Sequence, residues 1–320
     1  MMPGATDPIL LLTDAASAAG SYTCVATNAA GSSTSSAATV SLTSTDDIGR
    51  LVNISCRAGV GTGGDILITG FAVGGAGTYG SEPLLIRASG PALVSFGVAG
   101  TLPDPQLQIF SGGTVLGTNN GWGGTSAIAS TAAAVGAFAW NSPTSHDSAL
   151  LQSLVNGPYT AQIAGQSGDT GIALAEVYDA TPPGAYTPAS PRLVNISARV
   201  QVGTAGNILI AGFVVGGSTS RTVLIRASGP ALVPFGVAGT LPDPELQLYS
   251  GSTLLGMNEG WGGETEIASA AASEGAFIWD NPASNDSALL VTLPPGAYTA
   301  QVFGASGDTG VALVEVYEVL

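Results

Sequence analysis

The sequence predicts an all-β protein made of two tandem, homologous β-sandwich or jelly-roll domains. Three observations carry that prediction. The first is an internal repeat: residues 50–178 open with RLVNISCRAGVGTGGDILITGFAVGG and residues 192–317 with RLVNISARVQVGTAGNILIAGFVVGG, and both go on to LIRASGPALV, FGVAGTLPDP, GWGG, DSALL, YTAQ, SGDTG and EVY. The register is offset by 142 at the start and by 139 after a three-residue deletion near Ser218–Arg221. A period of roughly 130 residues is a duplicated domain and not a solenoid unit. The second observation is that the apolar runs are short and bounded by Gly, Pro, Asn and Asp, the pattern of strands and turns. The third is composition: 46 Gly and 19 Pro in 320 residues, 45% apolar and 9% charged. Such a chain has apolar surface to bury and many tight turns, unlike a disordered one.

Residues 1–47 stand outside the repeat. ILLLT at 9–13 is followed by AGSYTCVATNAAGSSTSSAATVSL. The start is not read as a signal peptide, because it has no basic stretch, contains Asp7 and Asp14, and has an apolar core of only Ile9 to Leu12. The first repeat, residues 48–179, predicts strands at Ile66–Val73, Leu84–Ala88, Gln106–Phe110, Ala149–Leu154, Tyr159–Ile163 and Ile172–Tyr178. PQLQIF and PELQLY alternate apolar with polar, so one face of that strand is buried. TSAIASTAAAV at 125–135 lacks Gly and Pro and predicts a short helix, with its counterpart at 264–274. Residues 180–191, ATPPGAYTPASP, carry four Pro and predict an extended, semi-rigid linker. The second repeat, residues 192–320, follows with the same elements.

Two resemblances follow from these motifs. Tyr22 two residues before Cys24, then Val-Ala-Thr-Asn-Ala-Ala-Gly, resembles the E, F and G strands of an immunoglobulin domain with its tyrosine corner. The upstream Trp and partner Cys of that domain are missing, so the chain is expected to be a fragment of a longer protein. RLVNIS…VGTG…ILIAGFVVGG…VLIRASGPAL…FGVAGTLPDP resembles a repeat of large secreted bacterial proteins. Its back half, LPDPELQLYSGSTLLGMNEGW with PPGAYTAQVFG and GVALVEVYE, looks like a pre-peptidase C-terminal β-sandwich. The resemblances imply a secreted or cell-surface setting with roles in adhesion, attachment or assembly, and they bring no catalytic residues. Cys24 would be the second cysteine of the immunoglobulin pair. Cys56 aligns with Ala198, so the fold does not require it, and a Cys24–Cys56 bridge is not assigned by spacing.

Charge narrows the partners. The chain has 22 acidic residues, seven Arg, no Lys and a net charge of −15. Seven scattered Arg cannot track a phosphate backbone, so nucleic acid is excluded, and anionic membrane surfaces are disfavoured. No apolar run approaches the ~20 residues of a membrane-spanning helix, so membrane insertion is not expected. GVGTGG at 59–64 has neither the Lys nor the helix of a phosphate loop. An exposed strand edge can pair with another chain, which makes a homodimer an expected mode of association.

Candidate chemistry rests on residues shared by the repeats. Asp104 and Asp243, in Leu-Pro-Asp-Pro, read either as turn residues or as Ca²⁺ ligands, with Asn119, Asn120, Asn258 and Glu259 near enough to add oxygens. Asp147 and Asp286, before SALL, read as turn-ending carboxylates or as ligands for Ca²⁺ or another divalent metal. Asp169 and Asp308, in Ser-Gly-Asp-Thr-Gly, read as hairpin turns. Glu176 and Glu315 are expected on the solvent face of the last strand; facing inward, they would need Arg87 and Arg226. Trp122 and Trp261, flanked by glycines, are candidate sugar platforms or core plugs, with Trp140 and Trp279 nearby. His146, the only histidine, sits in Ser-His-Asp-Ser and has Asn285 opposite it in the second repeat. The leading expectation is a non-catalytic extracellular module for attachment, carbohydrate or surface binding, or spacing, with Ca²⁺ as candidate stabiliser. The alternative is a metal-dependent esterase or phosphoesterase, and less so a glycosidase. It would use His146, Asp147 and Asp286 at the centre and Asp104 and Asp243 as further ligands.

Overall fold

A computed structural model describes residues 10, 12, 18–42, 45–140 and 142–319. The chain forms two compact units, Met1–Asp46 and Asp47–Leu320. In the small unit β1 (Gly20–Tyr22) pairs with β4 (Ala38–Val40), and β2 (Val25–Asn28) with β3 (Gly31–Thr34), both antiparallel. Asn28 closes the tight turn by accepting from the Ala30 amide at 2.8 Å. The Tyr22 hydroxyl donates to the Ala18 carbonyl at 2.7 Å, four residues upstream, the bond of a tyrosine corner. The apolar stretch at 9–13, like Asp7 and Asp14, falls largely outside the described residues.

The large unit is all β with two short helices. The first repeat supplies β5 (Arg50–Val60), β6 (Leu67–Gly74), β7 (Ser81–Ser89), β8 (Pro105–Ser111), β9 (Thr114–Asn119), β10 (Ser148–Val155), β11 (Gly157–Gly165) and β12 (Gly171–Asp179). The second supplies their counterparts β13 (Arg192–Val202), β14 (Leu209–Gly216), β15 (Arg221–Ser228), β16 (Pro244–Ser250), β17 (Thr253–Asn258), β18 (Ser287–Leu293), β19 (Gly296–Gly304) and β20 (Gly310–Glu318). Helices α1 (Ser126–Ala134) and α2 (Thr265–Ser273) lie where the Ala-rich stretches predict them. All six strands expected in the first repeat form. The opening strand β5 and the β9 strand are additional to them.

The pairings sort the sixteen strands into two sheets of eight. One runs β10-β7-β12-β5-β14-β19-β16-β17, the other β18-β15-β20-β13-β6-β11-β8-β9. Each repeat therefore contributes four strands to each sheet. The repeats meet edge to edge through β5 with β14 and β6 with β13, and a Leu51–Leu193 bridge links the sheets. These inner edges are thus paired within the chain, and β10, β17, β18 and β9 form the outer edges of the two sheets. Residues 180–191 do not run free as an extended linker. They turn at Pro182–Ala185 and Thr187–Ser190 and are anchored by Ala180 N to Pro83 O at 2.8 Å and Tyr79 N to Ala189 O at 3.1 Å.

Alternation explains the layers. In β14 every second residue (Leu209, Ala211, Phe213, Val215) is buried, as a sheet with one covered face requires. The β5 pattern slips one residue after Leu51, opposite a bulge between Val214 and Val215, and β13 slips identically against β6. One core runs through both repeats and includes the stacked pairs Phe71–Tyr159 and Phe213–Tyr298. Tyr159 and Tyr298 each donate to a carbonyl four residues upstream, Val155 and Pro294, at 2.7 Å.

The turns holding Asp169 and Asp308 differ from the hairpins expected. β11 pairs with β6 and β8, whereas β12 pairs with β5 and β7, so this turn crosses from one sheet to the other. Gly165 and Gly304 are required there, because a Cβ on either would collide with the main chain of Asp169 or Asp308.

Candidate functional site

The shared carboxylates hold the fold together. Asp147 is fully buried; its Oδ1 accepts from the amides of Gly90 (2.7 Å) and Ala92 (3.2 Å), and its Oδ2 from the Ser145 hydroxyl. Asp286 does the same for Gly229 (2.7 Å) and Ala231 (3.1 Å). Each carboxylate ties the start of a 3-10 turn, Pro91–Phe96 or Pro230–Phe235, to the strand that follows it. Asn119 and Asn258 accept from the Ala149 and Ala288 amides at 3.0 Å. The metal-ligand reading of Asp147, Asp286, Asn119 and Asn258 gains no support from this geometry: each has an oxygen on a donor of the fold, backbone amides throughout and, for Asp147, the Ser145 hydroxyl as well. Asp104 faces His146, Nδ1 to Oδ1 at 3.2 Å, on a largely exposed loop. Asp243 uses its carbonyl to accept from Ala305 N at 2.9 Å. Among the described residues no three His, Cys, Asp or Glu side chains gather as a metal site would need. Cys24 is free and exposed, and Cys56 is free and buried, its thiol pushed up to about 12 by burial.

Glu176 and Glu315 also differ from expectation, being buried where a solvent face was predicted. The inward alternative is realised. Arg87 Nε lies 3.3 Å from Glu176 and Arg226 Nε 3.5 Å from Glu315. Each guanidinium is clasped by two rings, Phe138 (4.4 Å) and Trp140 (4.3 Å) for Arg87, Phe277 (4.5 Å) and Trp279 (4.3 Å) for Arg226. Tyr178 and Tyr317 donate to the carboxylates at 2.6 Å. Burial raises both glutamates' pKa, and the facing arginines oppose it. Trp122 and Trp261 are core residues. Their indole N–H groups donate to Ser142 and Asn281 carbonyls at 3.1 Å, and their rings meet Trp140 and Trp279 edge to face. Both are buried, and Trp261 lines a small pocket with Arg226, Phe277 and Trp279.

A second charged group lies where the repeats join. Glu318 receives Arg192 (2.6 Å) and Arg221 (2.5 Å), while Arg50 reaches Asp179 (3.5 Å) and covers the Tyr186 ring at 3.6 Å. In the first repeat Glu82 occupies the position of Arg221. It is buried beside Asp179, and desolvation with that neighbour raises its pKa to about 9.

These pairs engage five of the seven Arg. The remaining two, Arg57 and Arg199, occupy the same position of the two repeats. Among the described residues neither side chain makes an ion pair or hydrogen bond, and both line one cleft of ≈ 860 Å³. Its walls come from both repeats: the ends of β5 and β13, the loops 61–66 and 203–208, Thr170, Gln201, Asn207 and Phe235. Phe235 is 64% exposed and braced edge to face by Phe277 at 5.1 Å. Ala205, in the 203–208 loop, is the one described non-glycine residue with positive φ, at 57°, where the first repeat has Gly63. Asp65 is the acid in the lining, and Asn207 replaces it in the second repeat. Sequence reasoning missed this site because Arg57, Arg199 and Phe235 lie in repeat motifs far apart in the chain, and only the tertiary structure brings them to one cleft. The signal that could have found it is the matched position of two Arg in a chain with so few.

No protein-family model matches the chain, and no curated protein matches it. Among solved structures, PNGF-II is 12% identical in its P21 crystal form, over 87% of this chain and 62% of that one, with a TM-score of 0.20. Its C2 form is 11% identical over 83% and 59%, with a TM-score of 0.19. The vicilin of Solanum melongena is 6% identical over 83% and 74%, with a TM-score of 0.16. The chain spans about three fifths of the PNGF-II chains it matches, 62% and 59%. At these TM-scores the likenesses carry no argument.

Proposed function

We propose that this chain is a non-catalytic attachment module of a larger secreted bacterial protein, two joined β-sandwiches following the last strands of an immunoglobulin-like domain, and that it binds carbohydrate in the cleft shared by the repeats. The observation that carries the reading is the cleft itself. An exposed aromatic ring, Phe235, stands beside side-chain amides and hydroxyls, Gln201, Asn207 and Thr170. Aromatic faces with a few placed polar groups are what sugar rings use for stacking and orientation. The volume, ≈ 860 Å³, suits several sugar units. The tyrosine corner at Tyr22 supports the immunoglobulin-like assignment.

The hydrolase alternative gains no support from the geometry, since Asp147 and Asp286 hold backbone amides and His146 faces Asp104 on an exposed loop. Isothermal titration of the purified chain with a panel of oligosaccharides tests the proposal, alongside a reducing-end assay on the same samples. The expected result is saturable binding, weakened at least tenfold by Phe235→Ala, with no new reducing ends. Turnover of any bound sugar would overturn the non-catalytic reading.

A further inference from the structure

Resting on that reading of the cleft, we infer that its ligand is an acidic oligosaccharide, held through its carboxylates by Arg57 and Arg199. The chain has no Lys, and five of its seven Arg are consumed by internal acids. A guanidinium left without an internal acid carries uncompensated positive charge in a protein of net charge −15. Two, at matched repeat positions and in the wall of one cleft, put positive charge where most of the surface is negative. Arg57 is half-buried and Arg199 exposed, so both can reach solvent and a ligand.

The planar guanidinium matches a carboxylate with two parallel hydrogen bonds, and partial desolvation in a cleft strengthens them. Two such groups contributed by two repeats suit a polymer that carries acids at intervals, more than a single small anion. Phe235, exposed in the same lining, offers an aromatic ring to a sugar. Asp65 would repel an acid on the first repeat's side and accept from a sugar hydroxyl instead, which favours a glycan over a uniformly charged chain such as polyphosphate.

The test is calorimetric titration of the full chain with a homogalacturonan hexasaccharide, its fully methyl-esterified form, and inorganic phosphate. The same titrations are run on an Arg57→Gln/Arg199→Gln variant, with a thermal melt as folding control. Neither Arg makes an internal ion pair, so the variant should melt like the parent. The expected result is that the acidic hexasaccharide binds about tenfold or more tightly than its ester. That advantage disappears in the variant and shrinks with added salt. Equal binding of acid and ester, unchanged in the variant, would falsify the anionic inference and leave the attachment reading standing. Arg-dependent binding of phosphate with no binding of the hexasaccharide would overturn the glycan class. Absence of binding by every sugar, with Phe235→Ala also silent, would remove the attachment reading itself.

Discussion

Replacing Arg87 with Met should destabilise the large unit by about 3–5 kcal/mol, the range for removing one partner of a buried ion pair. Arg87 is 1% exposed. Its Nη1 donates to the Phe138 carbonyl at 3.0 Å, its Nε faces Glu176, and two rings enclose it. Met fills much of the same volume, so the loss is electrostatic and not a cavity. Glu176 would then keep only the Ser89 hydroxyl (3.1 Å) and the Tyr178 hydroxyl (2.6 Å) in a site that already raises its pKa by burial. Protonation of Glu176 caps the penalty. For a body of this size each kcal/mol moves the melting temperature by roughly 2–4 °C, so a drop of about 6–20 °C is expected. Differential scanning calorimetry measures it, and near-UV circular dichroism should report the loss of the cation beside Trp140. The double variant Arg87→Met/Glu176→Leu should recover to within about 2 kcal/mol of the parent, because no unpaired charge remains. If Arg87→Met melts within about 2 °C of the parent, the pair is not the electrostatic unit described.

Further predictions follow from the same geometry. Glu82, with its folded pKa raised from 4.5 to about 9, keeps its proton in the folded chain while the unfolded chain releases it. Stability should therefore be highest below pH 4.5 as far as this group is concerned, fall as pH rises through 4.5 to 9, and level off above. Urea titrations across pH should show that slope, and Glu82→Gln should flatten it; an unchanged slope refutes the assignment. Asp286→Ala frees the amides of Gly229 and Ala231 and should cost about 3–6 kcal/mol in chemical denaturation, since each of the two bonds to a charged acceptor contributes roughly 1.5–3. Cys24 should react with a thiol reagent in the native chain and Cys56 only after unfolding, so a native count of two thiols would contradict the burial. Ala205→Gly should stabilise by about 1 kcal/mol by relieving the left-handed backbone, read as a raised melting temperature.

Much of the architecture was legible before the structure. The strands flanked by Gly and Pro, the two Ala-rich helices and the tyrosine at Tyr22 were all readable, because each depends on local periodicity or turn chemistry. Legibility failed where a residue's role depends on what covers it. Glu176 alternates as a solvent-facing residue would, yet the 90–147 segment folds over that face and supplies Phe138 and Trp140, so the carboxylate is buried against Arg87. Trp122 between glycines looks like a presented ring and is instead a plug against Trp140. Asp147 looks like a ligand because it recurs in both repeats. It recurs because the 3-10 turn it anchors recurs.

The sequence by itself determined the all-β class, the duplication, the existence of six strands and a helix in each repeat, and the net negative charge. These rest on interactions within a few residues or on simple counts. Only the tertiary structure decided that each repeat's sheets continue into the other's, that five Arg are spent inside, and that Arg57 and Arg199 meet in one cleft. Edge pairing between β5 and β14 or β6 and β13 joins residues far apart in the chain. The hydrogen-bonding groups on a strand edge are the same whichever partner they take, so no local pattern names that partner.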